Sequence, residues 1–493
     1  MSTTEQPCRA NVPAPGPSLL DLFTSQREAF RRGAPEYAKR MQALKKLEAS
    51  LLEVREEIVR ATNLDFGGRA RQETLALELA PLVDGIRHAR KNLARWMKPR
   101  RVAAGVSFFP ARARIIHQPL GVVGILGAWN YPTLLTLSPL ADAIAAGNHA
   151  MVKPSELAPR TAEVLQKMIA AIFPTEYVAV VTGDAQLAAD FSRLPFDHLL
   201  FTGSTRVGKL VMRAAAENLT PVTLELGGKC PAIIHSEYPL RTAVERIMAG
   251  KLYNAGQTCL APDYVLVHES QRGEFVQLAG QVASELYPAW DGNADYTRII
   301  NSQHFDRLNR LVCDAVERGA RPVAVGAPQN PETALSAGAA GDPAATSDRL
   351  FRPLLLLDVD DTMQIMQEEI FGPVLPVLTY RSLDEALSYI NGRPHPLAVY
   401  YFDNQARRVD RVLYTTTSGG VTVNDVIFHI AQNNLPFGGV GASGMGHYHG
   451  RAGFATFSKK KGVFLQSRFS ALKFLRPPYG PLAERIIRFL LRG

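Results

Sequence analysis

The sequence predicts an α/β protein with more than one domain, on three observations. From Val122 to His235, short apolar runs alternate with helical patterns, as in a parallel sheet flanked by helices. A glycine-rich turn, Gly203 to Gly208, lies between one such run and a helix, a setting that suits an anion at a helix N-terminus. At 493 residues the chain is too long for one ordinary core.

Taken in order, residues 18–62 carry helical spacing, with Leu44, Leu47, Leu51 and Ile58 at steps of three, four and seven. From Pro119 to Ala141 no residue is charged, and length alone would allow a membrane span. Asn130, Pro132, Pro139 and three glycines oppose it, so a buried strand at Val122 to Leu126, a loop and a helix are expected. Strands follow at Ala150 to Lys153, Val178 to Thr182, His198 to Thr202 and Ala232 to His235, with helices at Arg160 to Ile172 and Thr205 to Asn218. A second alternating block runs from Arg241 to about Ser418, and its Ala-, Gly- and Pro-rich part, 326–348, reads as a surface insertion. The Gly- and aromatic-rich segment from Thr422 to Phe457 predicts strands and close-packed turns. In the tail, 462–493, a short helix from Pro481 to about Arg492 puts Leu482, Ile486, Phe489 and Leu490 on one face. It is too short to cross a bilayer, and could dock on the chain's own body, cap a pocket or lie on a membrane surface.

Composition narrows the class. Apolar residues are 46% and charged residues 20%, ordinary for a water-soluble fold. The net charge of +9 suits a solvated surface, because no basic run exceeds Lys459-Lys460-Lys461; no nucleic-acid partner is expected. Met1 to Gly16 lacks the apolar core of a signal peptide. Cys8, Cys230, Cys259 and Cys313 form neither a disulfide framework nor a CxxC pair, so a reducing, cytoplasmic setting is expected. His447 and His449 lack a third ligand, and no metal is expected.

Two glycine motifs invite over-reading. Gly439-Val440-Gly441-Ala442-Ser443-Gly444 matches GxGxxG but follows Pro436-Phe437 instead of a strand, and reads as structural. Gly203-Ser204-Thr205-Arg206-Val207-Gly208-Lys209 begins a P-loop, but Leu210 stands where Ser or Thr would hold magnesium. An NTPase is therefore disfavoured. The loop is either a pyrophosphate cradle or an ordinary strand–helix turn.

From about Leu19 to Lys461 the chain resembles the aldehyde dehydrogenase superfamily. The resemblance rests on Trp129-Asn130-Tyr131-Pro132, Lys153-Pro154-Ser155-Glu156, Phe201-Thr202-Gly203-Ser204 and Glu225-Leu226-Gly227-Gly228-Lys229. It continues with Gly256-Gln257-Thr258-Cys259, Glu369-Ile370-Phe371-Gly372-Pro373 and Pro436-Phe437-Gly438-Gly439, with 34 positions from Glu225 to Cys259. Ala261-Pro262-Asp263-Tyr264 and Gly444 to Gly450 look like the class 3 branch. Asp65-Phe66-Gly67 and Ile86 to Pro99 look most like bacterial coniferyl-aldehyde dehydrogenases.

The resemblance implies a Rossmann-like NAD(P)-binding domain (18–108 and 121–225) and an α/β catalytic domain (226–421). It also implies a small β bridging element (109–120 and 422–460) that joins a homodimer. It makes Cys259 the nucleophile, Asn130 an oxyanion donor and Glu225 the general base. Lys153, Glu156, Gly203, Ser204, Gly208, Leu226, Glu369 and Phe371 would hold NAD, with NADP open, while Tyr131 and His447 would line the aldehyde channel. Glu156 should repel a 2′-phosphate. The implied reaction is aldehyde oxidation, first of an aromatic, coniferyl-type substrate and second of an aliphatic one. The rivals are a CoA-acylating enzyme, opposed by Glu225, and a non-catalytic use of the fold, opposed by Cys259, Glu225 and Asn130 together.

Overall fold

The computed structural model describes residues 18–105, 108–290, 292–326 and 349–491. The expected insertion, past its first residue, lies outside them, as do the first sixteen residues and Arg492.

The α/β prediction holds, and it divides into two sheets. The first has six strands in the order Gly444–Met445, Val222–Leu226, His198–Gly203, Val122–Leu126, His149–Lys153 and Val178–Val180. All pairs are parallel except the two-residue edge strand at Gly444. Helices on both faces explain why the inner strands read as unbroken apolar runs: every residue of Val122–Leu126 and His149–Lys153 is buried. The chargeless stretch resolves into Val122–Leu126, a loop and helix Pro132–Ala146. No helix among the described residues is long and apolar enough to cross a membrane.

The second sheet has seven strands in the order Arg321–Ala324, Leu354–Leu357, Val374–Tyr380, Tyr264–His268, Pro231–Ile234, Ala398–Phe402 and Gly420–Val423. Its last strand pairs in parallel with Ala398–Phe402, so the boundary expected at 421 falls inside a strand. A separate antiparallel sheet joins Arg100–Val102, Arg112–Pro119 and Ser458–Leu465. The last of these runs beyond residue 460, where the bridging element was expected to end.

Between Thr422 and Phe457 the chain departs from the expected strands. It forms the short turns Phe428–Ala431 and Gly441–Ser443, the two-residue strand at Gly444, and helix Gly450–Thr456. The glycines there serve close packing: a Cβ on Gly453 would lie 1.9 Å from Asp142 Oδ2, so only glycine lets this helix sit against Pro132–Ala146. The tail helix Pro481–Leu490 buries Ala483 and half-buries Ile486, while Leu482, Phe489 and Leu490 of the expected apolar face stay exposed, so that face is only partly covered.

Candidate active site

In the six-stranded sheet the chain runs outward from Val122–Leu126 in one direction, then returns to add His198–Gly203 and Val222–Leu226 on the other side. The loops at the carboxyl ends of the two central strands diverge there, opening the crevice in which doubly wound sheets bind ligands. Lys153, Gly203 and Leu226 end their strands on this edge. Ser204 caps helix Thr205–Ala216 by accepting from the Val207 N–H at 3.4 Å, and the remaining first-turn amides have no intrahelical acceptor. A Cβ on Gly208 would come 2.7 Å from Leu226, so glycine lets this helix approach the sheet. Lys153 is buried and donates to Glu156 at 2.8 Å, while Glu156 is part-exposed at the crevice rim. The GxGxxG segment is structural: the Ala442 carbonyl accepts from Thr205, and Gly444 pairs with Glu225.

Facing this edge are two loops of the seven-stranded sheet. One carries Cys259 before Tyr264–His268, and the other carries Glu369 and Phe371 before Val374–Tyr380. Asn254, Ala255 and Gly256 all have left-handed backbones, a run that costs free energy and persists only where it is held. Asn254 donates to the Asn130 and Gln257 carbonyls, and Gln257 donates to the Asn254 and Arg298 carbonyls. A Cβ at Gly256 would lie 2.2 Å from the Gly372 carbonyl, so the two loops meet backbone to backbone.

These contacts converge on the thiol. Asn130 is buried and donates one amide hydrogen to the Gln257 carbonyl at 3.1 Å, leaving its second for another acceptor. The backbone N–H groups of Cys259 and Leu260 pull the thiol's pKa down, against its burial. The Tyr131 hydroxyl pairs with Thr258 at 2.7 Å. Burial, then the charges of Glu369 and Glu225, push the Cys259 thiol up to about 12. Glu225 is buried, neither carboxyl oxygen has a partner among the described residues, and desolvation drives its pKa well above the usual carboxylate range.

Glu369 is half-buried, with Oε1 shielded and unpartnered among the described residues and its pKa pushed up to about 8 by desolvation and by the nearby Asp263 charge. It lies against Gly227, where a Cβ would be 1.9 Å from its oxygen. A carboxyl oxygen left unpartnered among the described residues at a crevice lip fits a group that binds ribose hydroxyls. Phe371, at φ 53°, packs edge-on against Trp129 with 5.3 Å between ring centres. The donor set therefore suits a dinucleotide.

The Cys259 cavity, about 360 Å³, lies within the roughly 300–1,000 Å³ usual for small-molecule sites. Tyr131 lines it, as expected. His447 does not: it is exposed, and its neighbour His449 lines the cavity instead. Tyr448 is buried and pairs with Phe437, and the left-handed backbone of His449, φ 78°, breaks the alternation that would otherwise send side chains 447 and 449 to the same side.

Sequence reasoning missed the support behind Asn130. Buried Arg69 donates to the Asn130 carbonyl at 3.0 Å and pairs with Glu78 at 3.2 Å, and Glu78 accepts from the Thr133 and Leu134 amides. Glu73 accepts from the Asn254 amide and the Thr297 hydroxyl. No spacing signals this cluster, because charges in a polar stretch ordinarily read as solvated. Replacing Arg69 by Met should strand the Glu78 charge and lower stability by about 3–5 kcal/mol, measurable by denaturant unfolding. A loss below about 1 kcal/mol would contradict the pairing.

The same motifs place the chain among known proteins. Residues 23–463 match the model of the aldehyde dehydrogenase family, and the chain belongs to that family. It is 49% identical over 470 residues to the "Probable coniferyl aldehyde dehydrogenase" of Pseudomonas aeruginosa, covering 95% of each chain. A substrate-bound structure of Staphylococcus aureus AldH superposes with a TM-score of 0.88 at 38% identity, over 96% of this chain and 100% of that one. An NAD+ complex of a Bacillus cereus aldehyde dehydrogenase gives 0.79 at 26% identity, over 91% and 88%.

Proposed function

We propose that the chain oxidises an aromatic, coniferyl-type aldehyde to its acid with NAD+, through a thiohemiacetal and then a thioester on Cys259. The observation that carries this reading is one sulfur that lines a cavity of small-molecule size and lies within the electrostatic reach of both Glu225 and the crevice carboxyl Glu369. Cys259 loses its proton and attacks the aldehyde carbon. The free amide hydrogen of Asn130 and the Cys259 N–H meet the developing oxyanion. NAD+ bound in the crevice would accept the hydride. Lys153 and Glu156 would hold its adenosine ribose, Gly203, Ser204, Gly208 and Leu226 its pyrophosphate side, and Glu369 and Phe371 its nicotinamide end. Glu225 then takes a proton from water as it attacks the thioester, which regenerates the thiolate and releases acid.

Likeness to a probable coniferyl aldehyde dehydrogenase supports the aromatic assignment. NADH formation across benzaldehyde, cinnamyl and C4 to C16 aldehydes tests it, and a preference for the long aliphatic members would replace it with the second reading.

The domain assignment follows the same reading: the six-stranded sheet holds the nucleotide, the seven-stranded sheet carries the thiol, and the three-stranded sheet joins a homodimer. The tail supports contact with an anionic membrane surface. Residues 459–493 hold nine Lys or Arg and one Glu, so eight of the chain's nine net positive charges lie there. Exposed Phe489 and Leu490 lie on the terminal helix among them. Co-sedimentation with anionic but not neutral vesicles is the expected result, and no binding to either removes this role.

A further inference from the structure

The cavity has a polar wall that the oxidation itself does not use. Helix Pro132–Ala146 sets Leu134, Leu135, Ser138, Ala141 and Asp142 along one side of it, at the three- and four-residue spacing of a single helical face. Tyr131 precedes the helix and is tied to Thr258, beside the thiol. Measured from Tyr131, Ser138 and Asp142 lie seven and eleven residues along the axis, roughly 10 and 16 Å at 1.5 Å per residue. The two are four residues apart and therefore neighbours on the helix surface.

Asp142 is 5% exposed; its Oδ2 is buried against Gly453 with no hydrogen-bond partner among the described residues, which leaves Oδ1 as the oxygen that can meet the cavity. Burial pushes the pKa of this carboxyl up to about 8, against a smaller opposing effect of the His449 backbone N–H. At neutral pH it is a neutral carboxyl that can both donate and accept. The remaining wall is mostly apolar: Leu77, Leu82, Ile86 and Ile427 offer nothing to a hydroxyl. A purely aliphatic chain would leave Asp142 unsatisfied, whereas a propenyl chain and one aromatic ring would carry a para hydroxyl toward Ser138 and Asp142.

We propose that Ser138 and Asp142 form a hydroxyl-recognition station in the aldehyde cavity, selecting aromatic aldehydes that carry a para hydroxyl over those that lack one. The proposal rests on the reading of this cavity as the aldehyde site. The test is the ratio of kcat/KM for 4-hydroxycinnamaldehyde to that for cinnamaldehyde, measured on the full chain. The wild type should favour the hydroxylated substrate. Ser138→Ala and Asp142→Leu should each lower the ratio by about tenfold, with cinnamaldehyde turnover retained. Asp142→Asn, which keeps a neutral donor and acceptor, should preserve it.

Loss of both activities in equal proportion in Asp142→Leu and Ser138→Ala would mark a structural role and overturn the proposal. A wild-type ratio near one would overturn the station while leaving aromatic oxidation intact. Oxidation of neither substrate would overturn both.

Discussion

Replacing Cys259 by Ala is expected to reduce kcat by roughly 10⁴-fold or more, because the covalent route is lost and only binding and oxyanion donors remain. The fold should survive, since the side chain is only part-buried and its loop is held by backbone contacts through Asn254 and Gln257. NAD+ binding should persist, because no proposed nucleotide contact involves the sulfur. Stopped-flow absorbance at 340 nm against 4-hydroxycinnamaldehyde measures the effect. A variant retaining a tenth of the wild-type rate would exclude the thiol as nucleophile. The same outcome for Cys230→Ala would carry no such meaning, since that thiol is buried and donates to the Cys259 carbonyl.

The second large effect concerns Glu225→Gln. Deacylation should slow by about 10²- to 10⁴-fold, the range general bases supply. Acylation should be less affected, so a burst of NADH near one equivalent per site should precede a slow steady state. Equal loss in burst and steady state would assign Glu225 to the thiol alone. The pH dependence follows from the same groups. Cys259 is pushed up to about 12, so in the free protein its thiol is protonated at neutral pH, and desolvation raises Glu225 well above its ordinary range. Turnover should therefore rise with pH from neutral into the alkaline range, as each group yields its proton more readily. In Glu225→Gln the part of that rise due to the carboxyl should disappear.

Much of this was readable from the chain because the strands are buried on both faces. Val122 to Leu126 is apolar throughout, and its ends were set correctly by Gly121 before it and Gly127 after it. The thiol, Glu225 and Asn130 were identifiable because each sits in a motif of close-packed glycines or prolines. What the motifs could not convey is direction. His447 and His449 have the same neighbours in sequence, yet only the second lines the cavity, because the left-handed backbone at His449 turns the chain there. Asp142 ends the chargeless stretch, and nothing local tells whether it faces water, helix or cavity. Arg69 and Glu78 were equally opaque: their burial depends on Asn130, Thr133 and Leu134, about sixty positions downstream. The tail was undecidable, since amphipathic spacing fits docking as well as exposure, and most of its apolar side is exposed.

The most direct measurement is intact-protein and peptide mass spectrometry of Glu225→Gln after mixing with NAD+ and 4-hydroxycinnamaldehyde, quenched in acid. An acyl mass on the peptide bearing Cys259, absent when NAD+ is withheld, is the predicted result. NADH formed with no adduct on that peptide, or with the adduct on another residue, would contradict covalent oxidation at this sulfur.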